Sequence, residues 1–365
     1  MGAIIIIFYL AFSIQLIFYV FVFTKIIRYQ NNKKSASNAK IPVSVIICAK
    51  NEEKNLKRHL KSILSQNYPE FEVIVVNDAS TDNSSKILAD FEKIYTHLHV
   101  IDIDVNEKRE LQGKKHAVQK GIEKAKHNYM LFTDADCEAK SDKWISCFAE
   151  AFEKGADVVI GYSPFKKQKT WLNALIQIDT FFIGLQYFSL GLLGIKYMAV
   201  GRNMGYTKAY FNAINGFEKI GKHISGDDDL IIQKAKKNIK IEYIMTPESF
   251  MLSKPQTNIW AWLKQKKRHL STSTKYKFGH QVILGLYPIS LLLMYLCIPL
   301  MPNSIIIIGL LGFRIILQQI IFFYAGKKLQ TSSMLLSSLI WDFIYSLIYF
   351  ILAPYYFINK PNNWK

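Results

Sequence analysis

Cysteine is scarce in this chain, and its placement excludes two common roles. The 365 residues hold four cysteines, Cys48, Cys137, Cys147 and Cys297, with no Cys-x-x-Cys and no Cys/His cluster at zinc spacing. The thiols therefore read as free, in a reducing compartment. Charge is also sparse, at 20% of residues, and acidic charge is scarcer still: 28 Asp plus Glu stand against 46 Lys plus Arg, a formal net charge of +18. With half the residues hydrophobic and 24 Phe and 20 Tyr, the composition excludes a disordered chain. No Gly-x-Gly-x-x-Gly follows the first strand-like run and no Gly-x-x-x-x-Gly-Lys-Ser occurs, which removes support for dinucleotide and P-loop readings.

What is present is segregated. A mean hydropathy above zero in so basic a chain implies apolar blocks set apart from charged ones. The first runs from Ala3 to about Ile27 and meets no charge before Lys25, long enough for a hydrocarbon core that needs roughly 20 residues. Its positive charges, Lys25, Arg28, Lys33 and Lys34, follow the run, whereas a signal peptide carries them in front. Residues 1–28 therefore read as a retained anchor with the following chain in the cytoplasm. Three further blocks, at about Val282–Met301, Ser304–Ala325 and Met334–Ile358, make residues 280–358 a group of three spans. The turn Met301-Pro302-Asn303 suits the outside; Lys275, Lys277 and the loop Gly326-Lys327-Lys328 suit the inside. Four spans put the C-terminus outside, against which Lys360 and Lys365 weigh. Arg314 and Asp342 fall within spans and are expected either to pair in a helix contact or to serve function.

Residues 40–275 alternate strand and helix patterns. Val43–Cys48, Phe71–Val76, His99–Ile103, Tyr129–Phe132 and Asp157–Gly161 read as strands, with helices over Glu52–Gln66, Ser84–His97 and Lys114–Lys126. The fold class is α/β, a mostly parallel sheet covered on both faces. Ligands in such sheets bind beyond the carboxyl ends of the strands. There the chain places Ala49-Lys50-Asn51-Glu52-Glu53, then Asn77-Asp78-Ala79-Ser80-Thr81-Asp82, then Thr133-Asp134-Ala135-Asp136. An acidic rim facing an anionic ligand calls for a metal between them. Asp134 and Asp136, two residues apart at a strand end, suit Mg²⁺ or Mn²⁺ bridging to phosphates. The run Asp227-Asp228-Asp229 is more acidic than a helix N-cap needs, and one of its carboxylates can serve as a general base for a hydroxyl. Trp260–His269 is basic and aromatic, fit for an interfacial helix or for Arg268 to neutralise a leaving diphosphate. Residues 171–200 are apolar but interrupted by Asp179, Gln186, Gly191, Gly194 and Lys196, which reads as amphipathic helices on the membrane face.

Taken in order across about residues 42–275, these segments resemble the membrane-bound family 2 inverting glycosyltransferases, the group of the cellulose, chitin and hyaluronan synthases. The resemblance implies a GT-A type, Rossmann-like nucleotide-diphospho-sugar transferase domain with flanking transmembrane helices. It assigns Ala49, Asn51, Glu53 and Asp78 to the nucleotide, Lys114 in Gly113-Lys114-Lys115-His116 and Asp134 to the donor, and Asp134 with Asp136 to a divalent metal, Mg²⁺ or Mn²⁺. Gly201-Arg202-Asn203-Met204 is similar to the acceptor-side segment, through Arg202 and Asn203, and Gln265-Lys266-Lys267-Arg268-His269 resembles the family's Gln-x-x-Arg-Trp, bringing Gln265, Arg268 and His269 to the donor. The base is Asp228 if aligned on the preceding glycine and Asp227 if aligned on the helix leucine.

The implied activity is hexosyl transfer from a nucleotide-diphosphate sugar to a lipid-linked or saccharide acceptor, by direct displacement with inversion, serving cell-envelope polysaccharide. The protein is expected as a multi-pass protein of the cytoplasmic membrane with its catalytic domain in the cytoplasm. Its partners are then the donor, the acceptor and membrane lipids; nucleic acid is not expected, because the basic residues flank spans and form no groove. A processive polysaccharide synthase is the alternative, disfavoured by His269 where the family has Trp; a non-catalytic assembly subunit with a decayed transferase fold is disfavoured by the intact acidic residues.

Overall fold

The computed structural model describes residues 2–30, 39–301 and 305–331, with residues 338, 341, 342, 344–348 and 350. In chain order the first elements are α1 (Gly2–Ile17), a π-helical stretch (Phe18–Phe23), α2 (Thr24–Arg28), β1 (Val43–Ala49), α3 (Glu53–Leu64), β2 (Phe71–Asp78), α4 (Ser84–Glu92) and β3 (Leu98–Ile103). Then come α5 (Lys115–Lys124), β4 (Tyr129–Asp134), β5 (Cys137–Ala139), α6 (Trp144–Glu153), β6 (Val158–Ile160), α7 (Trp171–Leu192), β7 (Met204–Thr207) and α8 (Lys208–Ala213). The last are α9 (Asp229–Gln233), β8 (Ile241–Tyr243), β9 (Met251–Ser253), α10 (Ile259–Ser273), α11 (Phe278–Cys297) and α12 (Ile305–Lys328). These elements divide into two compact units, an α/β unit of residues 31–166, 198–255 and 362–365, and a helical unit of residues 1–30, 167–197 and 256–361.

The α/β unit is built on a seven-stranded sheet of order β3-β2-β1-β4-β7-β6-β8. Every residue of β1 is buried, the signature of a strand covered on both faces. One face packs Leu56, Leu60, Ile63 and Leu64 of α3 and Trp144, Ile145, Phe148 and Phe152 of α6 into the main core, each fully buried side chain contributing about 1.5–3 kcal/mol. On the other face α5 lies close, because Gly121 has no side chain: a Cβ there would come 2.6 Å from Ile46 Cγ2. β3, β2, β1 and β4 are parallel, as the strand–helix alternation predicts. Strand β7 departs from it, running antiparallel to both β4 and β6. The crossovers lead away from β1 in opposite directions, to β2 and to β4, so the crevice opens above Cys48 and its register partner Asp134.

Two expectations need correction here. The helix expected to reach His97 stops at Glu92. The N–H groups of Ile94 and Tyr95 close a turn on the Phe91 carbonyl at 3.0 and 2.9 Å, and Ile94 is left exposed. Trp171–Leu192 is one continuous helix, not several. Its polar residues Asn173, Gln177, Asp179 and Gln186 are buried.

The helical unit holds four described helices long and apolar enough to cross a membrane: Gly2–Arg28, Trp171–Leu192, Phe278–Leu300 and Ile305–Lys328. The expected span at Met334–Ile358 lies mostly outside the described residues. Arg314 and Asp342 do pair, Nη1 to Oδ2 at 2.6 Å. Arg314 also donates to Gln318 Oε1 and Gln15 Oε1, each at 3.0 Å.

Candidate active site

The loops at the carboxyl ends of β1 and β2 are clipped together. Thr81 N–H donates to Asn51 Oδ1 at 2.8 Å, and Glu53 N–H to Asp82 Oδ2 at 3.0 Å. Glu53 in turn accepts from Asn83 N–H and Nδ2 at 3.3 and 3.2 Å. Asn51 and Ala79 take left-handed backbone conformations, φ 53° and 50°, that asparagine tolerates better than most residues. The sequence placed Ala49, Asn51 and Glu53 on a nucleotide. In the structure Ala49 is buried opposite Asn77, and the side chains of Asn51 and Glu53 shape the loop pair. Asp78, at the end of β2, is fully buried, and Arg109 holds both of its carboxylate oxygens. Arg109 escaped the sequence reading because the loop after β3 was passed over, although it too follows a strand end.

Four charged side chains converge beyond β1 and β4. Lys114 immediately precedes α5 and its ammonium bonds Asp134 and lies 3.9 Å from Asp227. Burial works against that charge, but Asp134 and Asp227 outweigh it and hold the lysine above its ordinary value. Asp136 follows on the turn after β4. Burial, with Asp134 beside it, pushes its carboxyl up, while Arg202 opposes. Ligand atoms of Asp134, Asp136 and Cys137 lie within 4.8 Å of one another. Two crowded carboxylates, one already leaning on an ammonium, fit a hard divalent cation; the two oxygens suit Mg²⁺ or Mn²⁺ better than the buried thiol does.

The aspartate run separates into distinct environments. Asp228 caps α9: its Oδ1 accepts from Asp229 N–H at 2.8 Å and its Oδ2 from Gly201 N–H at 3.0 Å. Burial first, and Asp227 second, push its carboxyl up to about 6. Asp227 faces Lys114, with its side chain 20% exposed. The register ambiguity of the sequence thus becomes a division between a carboxylate that holds backbone and one that faces the rim.

Arg202 and Asn203 part company. Arg202 donates to Ser163 Oγ at 2.7 Å and Ser163 O at 2.9 Å, and lies over the Phe165 ring, within electrostatic reach of Asp136. Asn203 is fully buried; it accepts from Trp144 Nε1 at 2.9 Å and donates to the Tyr162 and Ser249 carbonyls at 2.7 and 2.9 Å. An acceptor-facing Asn203 is therefore corrected to a core pin, since its amide is spent on three internal partners. Gln265, Arg268 and His269 lie on α10 in the helical unit. There Lys266 Nζ clasps both oxygens of Asp179 at 2.8 and 2.7 Å.

Two family descriptions match this chain, Glycosyl transferase family 2 over residues 44–214 and Glycosyl transferase family group 2 over residues 147–358. The chain belongs to the family 2 glycosyltransferases. The transferase has a GT-A-like core with apolar helices flanking it. Poly-beta-1,6-N-acetyl-D-glucosamine synthase of Staphylococcus epidermidis is 35% identical over 100 residues, 27% of this chain and 23% of the synthase. TuaG of Bacillus subtilis, named as a candidate teichuronic acid biosynthesis glycosyltransferase, is 36% identical over 141 residues, 38% of this chain and 54% of TuaG. The match thus spans about a quarter to a half of these relatives. Among solved structures, a mannosyltransferase of Pyrobaculum calidifontis, in complex with GDP-Man and Mn²⁺, aligns with TM-score 0.58 at 16% identity, over 94% of this chain and 98% of that one. That likeness concerns the fold.

Proposed function

We propose that this transferase moves a hexosyl group from a nucleotide-diphosphate sugar to a lipid-linked or saccharide acceptor, with inversion, at the cytoplasmic face of a membrane. The observation that carries the reading is the convergence of Asp134 and Asp227 on Lys114, which puts a phosphate-side group and a proton acceptor on one rim. Asp227 takes the proton of the acceptor hydroxyl; the hydroxyl oxygen attacks the anomeric carbon as the bond to the nucleoside diphosphate breaks. Asp228 holds the turn that presents Asp227, each of its oxygens accepting one backbone N–H bond, and Asp227, facing the rim, is taken as the base. Asp78 and Arg109 receive the nucleobase side, and Lys114 offsets charge on the departing diphosphate.

Asp134 and Asp136 would hold a divalent cation, Mg²⁺ or Mn²⁺, which when bound screens the diphosphate as its charge grows. The Mn²⁺ and GDP-Man of the similarly folded mannosyltransferase support a metal and a nucleotide-sugar donor here, and the synthase and TuaG names support a cell-envelope product. Residues 1–28 and 280–358 anchor the chain as a multi-pass membrane protein, and residues 40–166 and 198–255 form its cytoplasmic catalytic part. A processive synthase is the second reading, favoured by the polymer-synthase relatives and opposed by His269 in place of Trp.

A panel of nucleotide sugars with the purified full chain and Mn²⁺ tests the reading, scored by release of nucleoside diphosphate. One donor should be turned over and its sugar found on the acceptor. Binding without release from any donor would overturn it, and product length separates single transfer from polymerisation.

A further inference from the structure

Lys115 takes no part in the reading above, and its setting calls for an explanation. It follows Lys114 at the start of α5, and it is fully buried. An ammonium is costly to bury unless its donors are matched. Here two of its three donors are matched by backbone: Lys115 Nζ donates to the carbonyl of His223 and, at 3.0 Å, to that of Ser225. Both carbonyls belong to the stretch that leads into Gly226-Asp227-Asp228.

The rest of that stretch is seated on the same segment. Gln112 N–H donates to the Gly221 carbonyl at 2.8 Å, and a Cβ on Gly221 would meet Leu111 Cδ2 at 2.5 Å. Gly113 has φ +66°, and a Cβ there would strike the Ile224 carbonyl oxygen, so glycine permits both the turn and the close approach. Successive residues of a helix diverge by about 100°. Lys114 therefore faces Asp134 and Asp227 while Lys115 turns to the stretch behind them.

We infer that Lys115 is a positioning residue for the transfer step, tying residues 221–226 to residues 111–115 and so holding Asp227 at the rim with Lys114 and Asp134. The inference rests on the reading of Asp227 as the base. Burial holds the Lys115 amine below its ordinary value, and Asp227 and Asp228 oppose that only in part. A lysine that only filled space would be replaceable by methionine without loss.

The test uses the full chain in detergent with Mn²⁺. It measures UDP release from UDP-N-acetylglucosamine and GDP release from GDP-mannose, with UDP and GDP binding measured separately. Lys115→Met should lower turnover on the accepted donor by about 10²-fold, the scale of a small misplacement of reacting groups, with donor KM and diphosphate affinity unchanged. Lys115→Gln, which keeps N–H donors on a shorter arm, should fall between wild type and Lys115→Met. Combined with Asp227→Asn, Lys115→Met should add nothing, as expected of residues acting as one unit. Wild-type turnover in Lys115→Met, or losses that multiply in the double variant, would overturn the positioning role while leaving Asp227 as base. Diphosphate binding lost in step with turnover in both Lys115 variants would make Lys115 a folding residue and also overturn it. Wild-type turnover in Asp227→Asn would instead overturn the reading on which it rests.

Discussion

The two units of this chain treat buried charge in opposite ways. In the helical unit ions are matched one to one: Arg314 with Asp342, Lys266 with Asp179. Amides complete the first pair through Gln15 and Gln318. On the rim of the α/β unit, carboxylates accumulate faster than cations, with Asp78, Asp134, Asp136, Asp227, Asp228 and Asp229 against Arg109, Lys114, Lys115 and Arg202. A matched pair holds helices together and needs nothing further. An unbalanced rim is poised for a cation and for a proton, which is why the same residue types signal packing in one unit and chemistry in the other.

The largest effect that would sharpen this contrast is metal removal. Chelation with EDTA should abolish turnover, and Mg²⁺ or Mn²⁺ should restore it, because the diphosphate would otherwise meet the carboxylates of Asp134 and Asp136 with no divalent cation between them. Full activity in chelator would break the assignment of the rim.

Next in size is the matched pair. Removing one partner of a buried ion pair costs about 3–5 kcal/mol, whereas removing both is often neutral. Arg314→Leu alone should therefore lower the thermal stability of the detergent-solubilised chain strongly, and Arg314→Leu with Asp342→Leu should recover most of it. Equal loss in the single and double variants would mean that the Gln15 and Gln318 contacts, not the pair, carry the effect.

The smallest is a pH effect at Asp228. Its folded-state value of about 6 lies above an unfolded value of about 3.9, so the folded state keeps the proton longer. Its contribution to stability therefore falls as pH rises through that window. Unfolding of the metal-free protein between pH 4 and about pH 6 should show this slope, and Asp228→Asn should flatten it; an unchanged slope would place the burial cost elsewhere.

Much of this was legible in the sequence, for a physical reason. Parallel strands buried on both faces read as apolar runs, and the residues after them must meet solvent or ligand. Asp78, Asp134 and Asp136 could thus be found by position alone, and the 227–229 run by its three adjacent carboxylates. Arg314 and Asp342 stood out because ions are costly inside apolar helices. What stayed hidden depends on tertiary contact. Strand β7 is four residues long and carries Gly205 and Thr207, too little pattern to announce a direction reversal. Asn203 looked like a polar residue for a ligand until Trp144, Tyr162 and Ser249 were seen around it. Lys115 looked like a second basic residue beside Lys114, and only the fold brings the carbonyls of His223 and Ser225 to it. The choice between Asp227 and Asp228 depended on Gly201 N–H, 27 residues away in sequence.

That choice is the centre of the account, and one paired measurement tests it most directly. Asp227→Asn and Asp228→Asn are each assayed for sugar transfer and for nucleoside diphosphate binding in the same preparation. The prediction is that Asp227→Asn loses about 10²–10⁴-fold in turnover, the usual contribution of a positioned base, with binding intact, while Asp228→Asn loses less turnover and more thermal stability. Near-wild-type transfer in Asp227→Asn, with the large loss in Asp228→Asn, would contradict it.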